Sequence, residues 1–160
     1  MTPAPLIPSA RFGHVNLIAR DWRALADFYT RVFGCSFVPP ERDYAGPDLE
    51  AGTGVPGAAL HGGHLRLPGG GADGPTLEIY QYAAMPEALP PAANRPGFGH
   101  IAFAVPSVAE ARDVVLAAGG GSVGSVVTLG TADGRFVTWA YVTDPEGNIV
   151  ELQSWSDRRP

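Results

Sequence analysis

The 160-residue sequence contains no lysine, so all eleven of its basic side chains are arginines. That absence removes every chemistry that needs a side-chain amine: a Schiff base, a pyridoxal-phosphate linkage or a phosphate-loop lysine. The arginines are outnumbered by sixteen acidic residues, leaving a net charge of −5, and they form no cluster. Nucleic acid is therefore not expected as the main partner, because phosphate binding needs concentrated positive charge. Cysteine is nearly absent too. Cys35 is the only one, so no internal disulfide can form and nothing calls for an oxidising compartment. The cytosol is the default location, and Cys35 is expected to be a small buried filler. No apolar run approaches the length of a bilayer span, so no membrane partner is expected. The opening Met1-Thr-Pro-Ala-Pro-Leu-Ile-Pro8 lacks a basic stretch and is broken by prolines, unlike a signal peptide.

Hydrophobic residues make up 45% of the chain and charged residues 17%, which suits one globular domain. Within it a repeat is visible. Gly13-His14-Val15-Asn16-Leu17-Ile18 is echoed by Gly99-His100-Ile101-Ala102-Phe103-Ala104, in both cases a Gly-His followed by an apolar strand pattern. Each echo is followed by a helical pattern, Trp22–Phe33 ending at Gly34 and Val108–Ala118 ending at Gly119, with Asp21 and Ser107 as N-caps and Glu110 as a capping-box partner. Two further strands are expected in each half, over 48–53 and 58–67 in the first and over 123–129 and 136–143 in the second. Thr76–Tyr82 and Asn148–Trp155 then close the halves, each with an apolar-Glu-apolar centre. The pattern predicts an α+β fold of two tandem βαβββ modules, 11–82 and 98–155, forming a curved, incompletely closed mixed β-sheet. Residues 83–97, rich in proline, join the modules into one domain over 11–155.

The repeat places His14, Glu78, His100 and Glu151 at equivalent positions. Alternate residues of a strand share a face, so pairing of the two units would let all four converge on one concave surface. Two imidazoles and two carboxylates suit a borderline divalent cation with open coordination positions. Singly, each has an ordinary alternative as a hydrogen-bonded or solvent-facing strand residue. Buried glutamates within Leu-Glu-Ile and Val-Glu-Leu, however, need compensation, which a cation supplies.

With Phe28-Tyr29-x-x-Val32-Phe33-Gly34, the Asp144-Pro145-x-Gly147-Asn148 turn and the closing Val-Glu-Leu, the chain resembles the vicinal oxygen chelate superfamily of glyoxalases, bleomycin-resistance proteins and dioxygenases. The resemblance spans roughly Arg11 to Trp155 and implies one divalent metal ion per site, Zn, Ni, Co, Mn or Fe, held by His14, Glu78, His100 and Glu151. It also implies a small-molecule substrate and a homodimer. Glu at position 78 matches the metal-dependent glyoxalase I-like lyases and isomerases. There the metal polarises a carbonyl, and Glu151 or Glu78 moves the adjacent proton through an enediolate or enolate. Alternatives within the resemblance are an Fe(II) extradiol dioxygenase using His14, His100 and Glu151, a methylmalonyl-CoA-type epimerase, and a metal-free drug-binding protein. Glu50 is an auxiliary base candidate if it lies on a strand. Arg11, Arg20, Arg66 and Arg135 are possible anchors for an anionic group, and Phe12, Tyr80, Phe103, Trp139 and Tyr141 are candidate pocket walls. His61 and His64, three apart in a strand, should point to opposite faces, so at most one reaches the site, where His64 would be an outer acid or base.

Overall fold

In the computed structural model, which describes residues 5–160, the chain runs through twelve elements. The first half comprises β1 (His14–Ile18), α1 (Trp22–Phe33), β2 (Ser36–Ala45), α2 (Pro47–Thr53), β3 (Ala59–Arg66) and β4 (Thr76–Tyr82). The second comprises β5 (Ile101–Ala104), α3 (Val108–Ala117), β6 (Gly121–Ser122), β7 (Val127–Gly130), β8 (Phe136–Thr143) and β9 (Ile149–Ser156). The fold is α+β, with one mixed sheet in each half. The first sheet has the order β1-β4-β3-β2, and the second has β5-β9-β8-β6 with β7 also on β8. In both, the opening strand lies parallel to the closing one, β1 on β4 and β5 on β9, while the other pairings are antiparallel.

Local chemistry sets the helix ends. Asp21 accepts a hydrogen bond from the Ala24 N–H at 3.0 Å, satisfying one of the unpaired donors at the start of α1. Gly34 ends that helix in the left-handed region, at φ 72°, where a side chain would be strained. Between them Trp22, Leu25, Phe28 and Tyr29 form the buried stripe that the spacing predicts. Ser107 starts α3 in the same way, accepting from the Glu110 N–H at 3.4 Å.

Two expectations about strands are corrected. Residues 48–53 are helical, in α2, because Pro47 sits at a helix start, Asp48 and Glu50 favour the first turn, and Gly54 ends the helix in a left-handed conformation. The missing strand is β2, whose Pro39 and Pro40 disguise it. As the outermost strand of its sheet it tolerates residues that cannot donate to a ladder, and its register shifts between Val38 and Arg42. In the second half the strand expected over 123–129 forms only from Val127, as β7; residues 123–126 are irregular, and the two-residue β6 lies just before the expected span. Residues 83–100 contain no helix or strand.

One apolar core draws on both halves. Tyr29, Leu65, Leu77 and Ile79 meet Val115, Val142 and Leu152, and Phe33 stacks on Phe103 with ring centroids 4.0 Å apart. Burial of each large side chain contributes about 1.5–3 kcal/mol. Phe103 is thus a core residue rather than a pocket wall, since it alternates with Ala102 and Ala104 on the opposite face of β5. The Asp144–Asn148 turn ties the halves together by hydrogen bonds. Asp144 Oδ1 accepts from the N–H groups of Glu146 and Asn148, and its Oδ2 accepts from Asn148 Nδ2 and the Tyr29 hydroxyl, each within 3.0 Å. Glu146 in turn accepts from the N–H groups of Arg20 and Asp21, just past the end of β1. No helix among the described residues is long and apolar enough to cross a membrane.

Candidate metal centre

The strand register explains how each His–Glu pair forms. In the first sheet Asn16 on β1 lies beside Glu78 on β4, so His14, two residues earlier on the same face, is within reach of the same carboxylate. His14 Nε2 is 3.5 Å from Glu78 Oε2, which also accepts from Asn16 Nδ2 at 2.9 Å. In the second sheet Ala102 on β5 lies beside Glu151 on β9, and His100 Nε2 is 2.9 Å from Glu151 Oε2. The glutamates are mostly enclosed, at 13% and 17% side-chain exposure, whereas His14 and His100 are more open at 48% and 33%. Each half therefore presents an accessible imidazole beside a sheltered carboxylate.

A third strand adds a neighbour to each glutamate. His64 on β3 lies directly across from Glu78, with Nε2 3.1 Å from Oε1 and Nδ1 2.9 Å from Thr76 Oγ1. Burial lowers the His64 pKa, partly opposed by the Glu78 charge. The Tyr80 phenol is pushed well up, first by burial and then by the Glu78 carboxylate. Tyr141 on β8 holds the equivalent place opposite Glu151, its ring centroid 4.9 Å from that of His100, and Trp139 packs edge-on against it at 4.8 Å. Burial, followed by the Glu151 charge, raises the Tyr141 pKa.

The two pairs remain separate within one chain. No strand of one sheet pairs with the other, and no three His, Cys, Asp or Glu side chains among the described residues are grouped to hold one ion. His14 and His64 both approach Glu78, but at different oxygens. The donor chemistry of each pair fits a borderline divalent cation, while either pair alone supplies only half of a four-donor shell.

Other candidate residues have ordinary surroundings. Glu50 is exposed on α2 and away from the strands it was expected to join. His61 faces a polar cleft with Arg23, Glu41 and Asp43, apart from His64 as the strand period requires. Arg20 lies 3.6 Å from Glu146, Arg66 donates to the Gly74 carbonyl, and Arg135 lies 3.4 Å from Asp157. Phe12 is exposed. Asn16 is a partner of Glu78 that residue type alone does not reveal, although its place two positions after His14 puts it on the same face. A cavity of about 620 Å³ opens beside His100, lined by Ile18 on β1, by Met85, Leu89 and Phe98 from the proline-rich connection, and by Ile149.

Comparison with known proteins agrees with this architecture. The family model described as Glyoxalase/Bleomycin resistance protein/Dioxygenase superfamily matches residues 11–152. A glyoxalase family protein from Bacillus cereus is similar in structure, with a TM-score of 0.72 at 16% identity, covering 91% of this chain and 93% of that one. A glyoxalase family protein from Enterococcus faecalis gives 0.55 at 20% identity, with 91% and 98% covered. A glyoxylase/bleomycin resistance protein/dioxygenase domain from Frankia gives 0.55 at 17%, with 94% and 95% covered. Among curated proteins none matches the sequence. Matched along nearly its whole length by the family model, and folded as two halves that each bring a His at the start against a Glu of the closing strand, the chain belongs to the glyoxalase/bleomycin resistance protein/dioxygenase superfamily.

Proposed function

We propose that the protein is a divalent-metal-dependent lyase or isomerase of the glyoxalase I-like kind, which moves a proton next to a substrate carbonyl. The observation that carries this reading is the recurrence of one His–Glu contact, His14 with Glu78 and His100 with Glu151, at equivalent places in two modules. These four side chains would hold one divalent ion, with the first pair from one chain and the second from another copy, since among the described residues no three such donors are grouped to hold an ion. A homodimer is the arrangement that completes the shell. When bound, the ion supplies Lewis-acid polarisation of a carbonyl oxygen.

The remaining work falls to the chain itself. A glutamate beside the bound substrate takes a proton from the carbon next to the carbonyl and returns it to a neighbouring position, a step worth about 10²- to 10⁴-fold. Enclosure of both glutamates keeps bulk water from competing for that proton. The cavity beside His100 takes an apolar portion of a small-molecule substrate against Leu17, Ile18, Met85, Phe98 and Ile149, with Arg20 and Arg95 also on its walls. This reading takes the cytosol as the setting of the reaction, a reducing compartment in which the lone thiol of Cys35 stays free.

The experiment is a proton-exchange screen. Protein loaded with Ni²⁺, Co²⁺ or Zn²⁺ is incubated in D₂O with thiol adducts of α-oxoaldehydes and with acyl-CoA thioesters, and deuterium is read by NMR at the carbon next to the carbonyl. Deuterium incorporation or isomerisation that disappears in Glu151→Gln or Glu78→Gln is the expected result. Oxygen consumption with catechols by the Fe(II)-loaded protein, without exchange in any of these compounds, would replace this reading by ring cleavage.

A further inference from the structure

The two half-sites are built on the same plan and differ in what surrounds the carboxylate. Opposite Glu78 stands His64, and opposite Glu151 stands Tyr141. Beside Glu78 on the neighbouring strand stands Asn16, and beside Glu151 stands Ala102. The first carboxylate is consequently held at both oxygens. Oε2 takes the Asn16 amide at 2.9 Å and faces His14, while Oε1 faces His64 Nε2 at 3.1 Å. Glu151 has one such contact, from His100 to Oε2.

Thr76 makes the His64 contact directional. Its hydroxyl lies 2.9 Å from His64 Nδ1, and Thr76 is two residues from Glu78 on the same face of β4. When the hydroxyl donates to Nδ1, the ring's proton sits on Nε2 and points at Glu78 Oε1. The strand pair β3–β4 thereby carries a Thr76-His64-Glu78 chain, and its far end, Oε2, is the oxygen turned toward His14.

We propose that His64 is the positioning residue of the first half-site. By holding Oε1 of Glu78 it presents Oε2 to a cation shared with His14, and the second half-site has no counterpart to it. The proposal rests on the reading of His14 and Glu78 as metal donors. Partners that orient a metal-binding carboxylate typically change metal affinity by about 10- to 100-fold when removed. The His64 ring lies edge-on to that of His14, with centroids 5.6 Å apart, but meets the carboxylate at the other oxygen and acts through Glu78.

The test is the affinity of the full-length protein for Ni²⁺, measured by isothermal titration calorimetry, with thermal unfolding of each metal-free variant followed alongside. His64→Ala should weaken binding by about 10- to 100-fold at unchanged stoichiometry. His64→Gln, which keeps an N–H donor near the Nε2 position, should recover most of the loss. Tyr141→Phe, at the equivalent place in the other half, should stay within about threefold of wild type, since no partner-orienting bond to Glu151 is lost. Wild-type affinity in His64→Ala would overturn the proposal while leaving the metal reading intact. A loss that glutamine does not recover would also overturn it, by making His64 a ligand or a general support of the fold. Failure of the wild-type protein to bind Ni²⁺, Co²⁺ or Zn²⁺ would overturn the metal reading and this proposal with it.

Discussion

Cys35 is 2% exposed, and burial pushes its thiol up to about 11 because the thiolate would have to be formed in apolar surroundings. At pH 8 the folded protein should therefore resist iodoacetamide, with alkylation appearing only as denaturant unfolds the chain. Rapid labelling of the native protein, followed by mass spectrometry, would contradict this burial. The same dependence on surroundings governs what the sequence reveals of the individual candidate residues. The contacts of His14 with Glu78 and of His100 with Glu151 are legible because the repeat marks those residues by type and place. His64 and Asn16 acquire their contacts with Glu78 from cross-strand register, which the sequence does not display. Nothing in the spelling of His61 and His64 says which one shares a face with Glu78, and the alignment of β3 on β4 decides it.

Among the elements, β3 carries the tightest steric demand. Gly62 lies across from Tyr80, and a Cβ there would run into the Ile79 carbonyl and the Tyr80 ring, while one on Gly63 would press on Phe37. The glycine pair thus lets β3 lie close between β2 and β4, immediately before His64. Gly62→Ala should cost about 1–3 kcal/mol of unfolding free energy, the usual penalty for overpacking, as measured by urea denaturation. An unchanged midpoint would show that the strand spacing is not set here. Element boundaries were legible where caps and periodicity agree, as in α1 with Asp21, its apolar stripe and Gly34. They were hidden where an edge position relaxes the usual rules. In β2 the prolines read as irregular chain, and the acidic segment after them takes the helical form that Pro47 initiates.

Over the whole molecule, the halves are joined by side chains rather than by a shared ladder. Phe33 stacked on Phe103, the Tyr29–Asp144 hydrogen bond and the grip of Glu146 on the Arg20 and Asp21 amides make that junction. Burial raises the Asp144 pKa against the opposing pull of its hydrogen bonds, an arrangement the Asp-Pro-x-Gly-Asn signature alone shows only as a turn. Two modules could be read from the repeat, yet the separation of the His–Glu pairs could not, because it depends on how two sheets pack through their cores. The repeat leaves open whether the four side chains meet within a chain or across an interface, and among the described residues they stand as two separate His–Glu pairs.

The most direct measurement is the metal content, by equilibrium dialysis against Ni²⁺, of wild type, of His14→Ala/Glu78→Ala, of His100→Ala/Glu151→Ala, and of the two double variants refolded together. The four-residue centre shared between copies predicts about one ion per chain in wild type, none in either double variant, and binding regained in the mixture, where a mixed dimer carries one intact site. A double variant that keeps its full complement of metal, or a mixture that stays empty while wild type is loaded, would contradict it.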